Sequence, residues 1–443
     1  MLGLESLGIE WASYLLVIMI LLLLLTGLPL AFVTGLTAMF FAFGWFNPMV
    51  ATHVVTSRVY GFLNEYVLVA IPMFVLMASI LDRSGIARDL YNTMRLFAGR
   101  LPGGVSIQTI IVALFLAAMS GIIGGEIVLL GLLALPQMLR LGYDRGLAIG
   151  TVCAGGSLGT MVPPSIVLIV YGMTANVSIG DLFVATIFPA LILGGFYITY
   201  IVTRCVLNPS LAPRLPDTEL NIPLSEKLKS AKSVILPVGV AAMVLGSIYG
   251  GIASVTEAAS MGVVGVLLST WVRKELSWHM LYKSVRQTLN TCGMIIWIGI
   301  GANALVGVYN LMGGNSFVES AILGLDVAPI VVILVMMLIL LVLGLFMDWI
   351  GIALLAMPIF VPIVIKLGFD PIWFGILFSM NMQVSYISPP FGPAAFYLKS
   401  VAPPDITLGV IFKSLWPFII LQLIAIMLVL SFPSIALWLP GLS

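Results

Sequence analysis

The chain has 443 residues, of which 61% are hydrophobic and only 8% charged, with a formal net charge of +1 and a mean hydropathy of +1.18. Soluble domains carry about a quarter charged residues, so this composition excludes a soluble globular protein, and the near-zero net charge argues against a nucleic-acid partner. Apolar runs of about 20 residues recur along the whole length, each long enough to cross about 30 Å of hydrocarbon as a helix. The chain therefore reads as an all-α polytopic membrane protein.

Residues 12–25 and 28–46 read as two spans, or one long bent one, broken around Gly27 and Pro29. The acidic residues Glu5 and Glu10 precede the first run where a signal peptide would be basic, so that run is expected to be retained. A polar segment, 53–64, carries Arg58, followed by Glu65 and an apolar run at 67–81 interrupted by Pro72. The charged stretch 82–100 is expected to be an amphipathic interfacial helix with solvated charges. Segments 105–120 and 122–139 flank a flexible SGIIGG turn. They are either two full spans with a tight loop or a re-entrant hairpin, and Glu126 beside the turn favours the hairpin. A turn at full depth is tolerated only where protein or a water cavity surrounds it. Residues 145–175 form a span broken at 155–159 and stopped by Pro163 and Pro164, whose missing donors leave carbonyls near 158–162 without helical partners.

Another span follows at 180–207, and then the polar stretch 208–233, whose Lys/Arg excess points to the cytoplasmic side. The second half holds spans near 234–250, 253–272 and 285–312, a paired segment at 329–366, a broken span at 371–400 and a last helix near 410–438. Three units result: a first repeat at 1–207 (hairpin about 103–139, broken helix about 145–175), the linker 208–233, and a second repeat at 234–443 (hairpin about 329–366, broken helix about 371–400).

The repeat is legible in the letters. Aligning Pro136 with Pro358 puts Leu132-Leu133-Ala134 on Leu354-Leu355-Ala356 and Glu126 on Asp348. With four extra residues in the second copy, Leu141-Gly142-Tyr143-Asp144 falls on Leu367-Gly368-Phe369-Asp370, and Pro163-Pro164 on Pro389-Pro390. Each copy holds a carboxylate in an apolar run, a turn, and a Gly/Ser-rich break ending in a double proline.

An intramembrane carboxylate costs on the order of 2.5–3.5 kcal/mol at mid-bilayer, so it marks a functional site unless it sits at a helix end near water. With no Lys or Arg beside Glu126 or Asp348, the natural partner is a cation held by oxygen ligands. Candidates are the carbonyls of 156–162 and 384–388 and the hydroxyls of Ser120, Ser157, Thr160, Ser385 and Ser388. Paired breaks of this kind fit secondary transporters, in which half-helix N-termini face an anionic substrate and unwound carbonyls hold ions. Ser165 and Gly392, each just past its double proline, are candidate substrate contacts. Glu257 either pairs across helices or sits at a helix start; Asn303, Asn381 and Gln383 are helix–helix glue or pocket lining. Cys153, Cys205 and Cys292 show no metal or disulfide spacing, and no GxxxxGK[ST] loop for ATP is present. An intramembrane enzyme using Glu126 and Asp348, and an ion or solute channel, are the rival classes. The first lacks an accompanying histidine or nucleophile, and the second would want pore-lining rings of charge or carbonyls.

The stretches LVAIPMFVLMASILDRSGIARDL (68–90), LPGGV (101–105), SGIIGG (120–125), RLGYDRG (140–146), GGSLGTMVPPSIVLIVYG (155–172), TEAA (256–259), MDWIGIALLAMPIFVPIV (347–364) and SYISPPFGP (385–393) resemble, in order and over nearly the whole chain, the large membrane subunit of TRAP transporters, the tripartite ATP-independent periplasmic carriers. The resemblance implies two inverted-topology repeats with re-entrant hairpins and broken helices, about eleven spans in all, working as an elevator-type ion transporter in the bacterial inner membrane. It implies no cofactor and no enzymatic activity. It implies sodium as the coupling ion, a separate small four-helix membrane subunit, and a periplasmic binding protein delivering a small organic acid. Carried over by motif, a first sodium site comprises Ser120, Gly121, Gly156, Ser157, Thr160 and Pro163. A second comprises Gly344, Asp348, Ser385, Ser388 and Pro389, and Ser165, Glu126, Gly392 and Asn381 are assigned to substrate. The first hairpin tip departs from the small-residue SGS type common in the family, which puts Glu126 in doubt as an ion ligand.

Overall fold

The computed structural model describes residues 3–95, 101–120, 124–213, 224–324 and 326–442. Every regular element among them is a helix. Residues 12–46 form two helices, α1 (Gly8–Leu25) and α2 (Leu30–Trp45). Gly27 adopts a φ of 78°, a left-handed turn that a Cβ would disfavour, and Pro29 then starts the next helix with its φ already set. The next three helices are α3 (Pro48–Leu63), α4 (Ala70–Arg83) and α5 (Ile86–Arg95). Asn47 caps α3 by accepting from the Val50 amide at 2.9 Å, with Pro48 at the first helical position. The charged stretch around α5 keeps Arg83 and Arg88 exposed, as an amphipathic helix would, and is also tied to the protein: Arg83 donates to Gln287 at 2.7 Å, and Asp89 pairs with Arg273. Residues 96–100 lie outside the described residues.

The first special region is α6 (Gly104–Ser120), α7 (Gly125–Arg140), α8 (Arg145–Ser157) and α9 (Ile166–Ala175), followed by α10 (Ile179–Ala185) and α11 (Ile187–Leu207). Then come α12 (Leu224–Tyr249), α13 (Val255–Val272), α14 (Trp278–Leu311) and α15 (Gly314–Leu323). The polar stretch 208–233 is thus helical from Leu224 onward. Glu257 starts α13: Ser254 and Glu257 form a reciprocal capping box, the Ser254 amide donating to the carboxylate at 2.8 Å. The second special region is α16 (Pro329–Gly344), α17 (Trp349–Lys366), α18 (Pro371–Ile387) and α19 (Pro393–Lys399), and α20 (Leu408–Ser431) with α21 (Ser434–Leu437) ends the chain. Seven helical stretches among the described residues are long and apolar enough to cross a membrane. The hairpin arms α6 and α16 and the half-helix α9 are shorter, as segments that turn back or break inside the bilayer must be.

The two special regions are arranged head to tail. Tyr171, near the end of α9, donates to the Pro371 carbonyl at the start of α18 (2.5 Å), while Arg145, at the start of α8, pairs with Asp405 beyond α19 (2.9 Å). Each broken helix therefore begins where the other ends. Basic residues mark one end, where Arg204 and Lys413 gather around Asp144 at the head of α8. At the opposite end Lys366 pairs with Glu319.

The long helix α14 packs against α2, α3 and α4, and its glycines make the approach possible. A Cβ on Gly301 would sit 2.6 Å from the Ala31 carbonyl oxygen, a backbone atom that cannot rotate away. Gly301→Val is therefore expected to cost about 1–3 kcal/mol by overpacking, seen as a lower melting temperature of the detergent-solubilised protein. Gly239→Ala, where nothing lies within 4 Å, is expected to leave it unchanged or slightly raised.

Candidate functional site

Both membrane carboxylates stand at the start of a hairpin's return arm. Asp348 is the N-cap of α17, its Oδ1 accepting from the Ile350 amide at 2.8 Å. Glu126 lies in the first turn of α7. The local reason is the same in both: free amides and the positive end of the helix dipole favour an acid there. Their surroundings differ. Glu126 is buried to 1% exposure, and its carboxylate oxygens come within 2.8 and 2.9 Å of where a Cβ on Gly159 would stand. It is thus laid over the break between α8 and α9. Gly156 receives the hairpin backbone itself, its hypothetical Cβ lying 3.1 Å from the Ile127 nitrogen and Cα. In the second copy Gly344 lies against Ser385, whose Oγ would be 2.2 Å from a Cβ.

Asp348 lines a cavity of about 170 Å³ with Gly344, Ser385, Tyr386 and Tyr397. The opposite wall belongs to α14, through Thr291, Met294 and Ile295. Tyr386 and Tyr397 stack with ring centroids 6.5 Å apart, and Tyr397 covers Gly124 at the first tip. The Tyr386 hydroxyl is buried without a hydrogen-bond partner among the described residues, within electrostatic reach of both Glu126 and Asp348. Tyr397 thus touches the first tip at Gly124 while lining the cavity at the second.

The residues assigned from sequence separate into groups. Gly121 and the Ser120 side chain lie outside the described residues. Gly156, Ser157, Thr160 and Pro163 surround the first break, where Pro163-Pro164 is cis, as is Pro389-Pro390. The carbonyls there already have donors. That of Ser157 accepts from Gln383 Nε2 at 2.9 Å and the Thr160 hydroxyl at 3.0 Å; that of Thr160 accepts from Ser165 at 2.5 Å and Ser379 at 3.0 Å. Ser165 spends its hydroxyl in this way. Gly344, Asp348 and Ser385 share the cavity, whereas Ser388 donates to the Val384 carbonyl at 2.7 Å and, with Pro389, lies off its wall. Gly392 packs on the Ser388 carbonyl. Asn381 donates to the Met337 carbonyl at 2.7 Å, tying α18 to α16 away from the cavity. Gln383 likewise ties α18 to α8, and Asn303 lines a second cavity.

Sequence reasoning missed Tyr386, Tyr397 and the α14 wall. A tyrosine beside a Gly/Ser break, apolar in body and polar at the tip, was the available signal for the first two; nothing in the letters brings residue 294 to residue 348.

Two hairpins, each with an acid at its return arm and docked on a broken helix, one of them opening on a cavity walled by a long packed helix, define a polytopic solute carrier. The profile of the Tripartite ATP-independent periplasmic transporter, DctM component, matches residues 17–435, and the chain belongs to this family as its large permease subunit. It is 29% identical to the C4-dicarboxylate TRAP transporter large permease protein DctM of Vibrio cholerae serotype O1, covering 97% of this chain and 98% of that one. It is 30% identical to the protein so named in Pseudomonas aeruginosa (85% and 87%), and 28% identical to the ectoine TRAP transporter large permease protein TeaC of Halomonas elongata (95% and 97%). The crystal structure of the Alcanivorax borkumensis YdaH transporter, described as having an unusual topology, shares the fold: TM-score 0.61 at 16% identity, covering 88% of this chain and 89% of that one.

Two substitutions separate site from glue. Gly344→Ala drives a methyl group into Ser385 and is expected to reduce transport at least tenfold while the protein still purifies as a folded species. Asn381→Ala removes one buried hydrogen bond, costing about 0.5–1.5 kcal/mol; the melting temperature should fall and the apparent substrate affinity should stay unchanged.

Proposed function

We propose that this chain is the permease of a sodium-coupled importer of small organic acids in a bacterial inner membrane. It works with a small four-helix membrane subunit and a periplasmic binding protein that delivers the cargo. The observation that carries the reading is the single cavity in which Asp348, Ser385 and the unpartnered Tyr386 hydroxyl meet at the end of a re-entrant hairpin. Asp348 supplies the negative charge and Ser385 the neutral oxygen that a hard monovalent cation requires, beside a helix N-terminus suited to an anion. Once the cation neutralises Asp348, the cavity can admit a carboxylate beside it, and neither binds well without the other. Tyr386 donates to the cargo. The cargo class is supported by the relatives' names, C4-dicarboxylate, ectoine, sialic acid and isethionate, each an organic acid or its zwitterion. The basic end around Arg204 and Lys413 faces the cytoplasm by the positive-inside rule. The hairpins and broken helices move as one body against α2, α3 and α14, carrying the cavity from one side to the other.

Uptake into proteoliposomes holding this chain and its small subunit, with the loaded binding protein outside, tests the reading. Radiolabelled organic acids should accumulate only under an inward sodium gradient. Asp348→Asn should abolish accumulation, and Tyr386→Phe should raise the KM for cargo several-fold with sodium dependence intact. Accumulation without sodium would refute the coupling ion, and flux that never becomes concentrative would refute a carrier altogether.

A further inference from the structure

A second cavity, about 560 Å³, lies between the same moving and stationary parts as the first. In the first, the contributors are Ile166 of α9, Ile350 of α17 and Met294 and Ile295 of α14. In the second, they are Thr174 of α9, Pro358 of α17 and Asn303 and Asn310 of α14. The step is eight residues on α9 and on α17, and eight from Ile295 to Asn303 on α14, with Asn310 two turns further on; eight residues are roughly 12 Å at 1.5 Å per residue. The two cavities are therefore stacked along one sliding interface. The second lies toward the Lys366–Glu319 end, because α14 runs on into α15, which carries Glu319.

The stationary walls of the two cavities differ in chemistry. Behind the Asp348 cavity α14 offers Thr291, Met294 and Ile295, with no charge. Behind the outer cavity stand Asn303, Asn310 and the guanidinium of Arg58, with Glu65 at the far end of α3. Arg58 is held in place. A Cβ on Gly307 would stand 2.4 Å from its Cγ and 3.2 Å from its Nε, so glycine at 307 lets the stem lie flat on α14. Among the described residues Arg58 enters no ion pair.

Resting on the carrier reading above, we propose that Arg58 is the cargo-receiving residue of the outward-facing state. A slide of roughly 12 Å toward the Lys366 end brings the Asp348 cavity opposite Arg58, Asn303 and Asn310. There the guanidinium forks onto the cargo carboxylate, and its positive charge draws the anion in from outside. Sliding back exchanges this wall for Met294 and Ile295, which bind no anion. Cargo is thus held more tightly at the outer face than at the inner one, the differential that a two-state carrier needs for loading and release.

The test uses the full complex in proteoliposomes, with radiolabelled succinate on the binding-protein side. Arg58→Gln should raise the KM for outside succinate at least tenfold, Arg58→Lys, which keeps the charge but not the fork, should recover only part of the loss, and the KM for succinate leaving from the inner face should not move. In a background with Cys153, Cys205 and Cys292 replaced, Met347→Cys should cross-link to Met294→Cys in one state and to Asn303→Cys in the other. An unchanged outer KM in Arg58→Gln, or no 347–303 cross-link in vesicles that transport, overturns the proposal. Wild-type vesicles that accumulate no succinate under sodium, while the 347–303 pair still cross-links in the double-cysteine variant, overturn the carboxylate reading, and the role of Arg58 falls with it.

Discussion

Hydrocarbon offers no partner to an open backbone, and every special feature of this protein answers that constraint. The breaks in α8–α9 and α18–α19 expose carbonyls at a depth where water is absent. At the first break they are tolerated because α18 crosses it and supplies donors, Gln383 to the Ser157 carbonyl and Ser379 to the Thr160 carbonyl; at the second, the segment's own Ser388 and Gly392 donate, to the Val384 and Ser388 carbonyls. Gln422 of α20 adds a third contact, donating to Ser157 Oγ at 3.4 Å. The crossing is thus a polar knot inside an apolar bundle, and it fixes where the hairpin tips dock. Without Gly156 and Gly344 the tips would stand off, and the cavity around Asp348 would lose one side.

The same constraint bears on ion coupling. Carbonyls that already have hydroxyl or amide donors are not vacant ligands, so a cation bound at the first break must displace the contacts of Ser165 or Thr160. Ser165 leads into α9, and its neighbour Ile166 lines the cavity, so the first break and the cavity wall share one short segment.

What the letters disclosed follows from which signals are local. Helix breaks, caps and the duplicated acid–proline pattern depend on residues within a few turns of one another, so the hairpins and both breaks were legible. Glu257 and Asn381 were legible as polar residues in apolar surroundings, but their roles were not. The first is settled by Ser254 three residues away, the second by Met337 on another helix. The α14 wall was invisible because Met294, Thr291 and Asn303 are ordinary in composition and become special only through what slides past them. The partners of the charges near α5 were invisible for the same reason, since Arg273 and Gln287 reach them from 184 and 204 residues away.

The aligned acids show how far internal symmetry carries. Glu126 and Asp348 occupy matching places, yet the longer side chain begins inside the helix and reaches across to Gly159, while the shorter one caps its own helix and lines the cavity. One methylene and two positions along the turn separate an acid laid into a backbone break from an acid that lines a cavity. Duplication supplied two tips of the same shape. Among the described residues Asp348 lines a cavity while Tyr397 covers Gly124 at the other tip, so two copies of one pattern end in different surroundings.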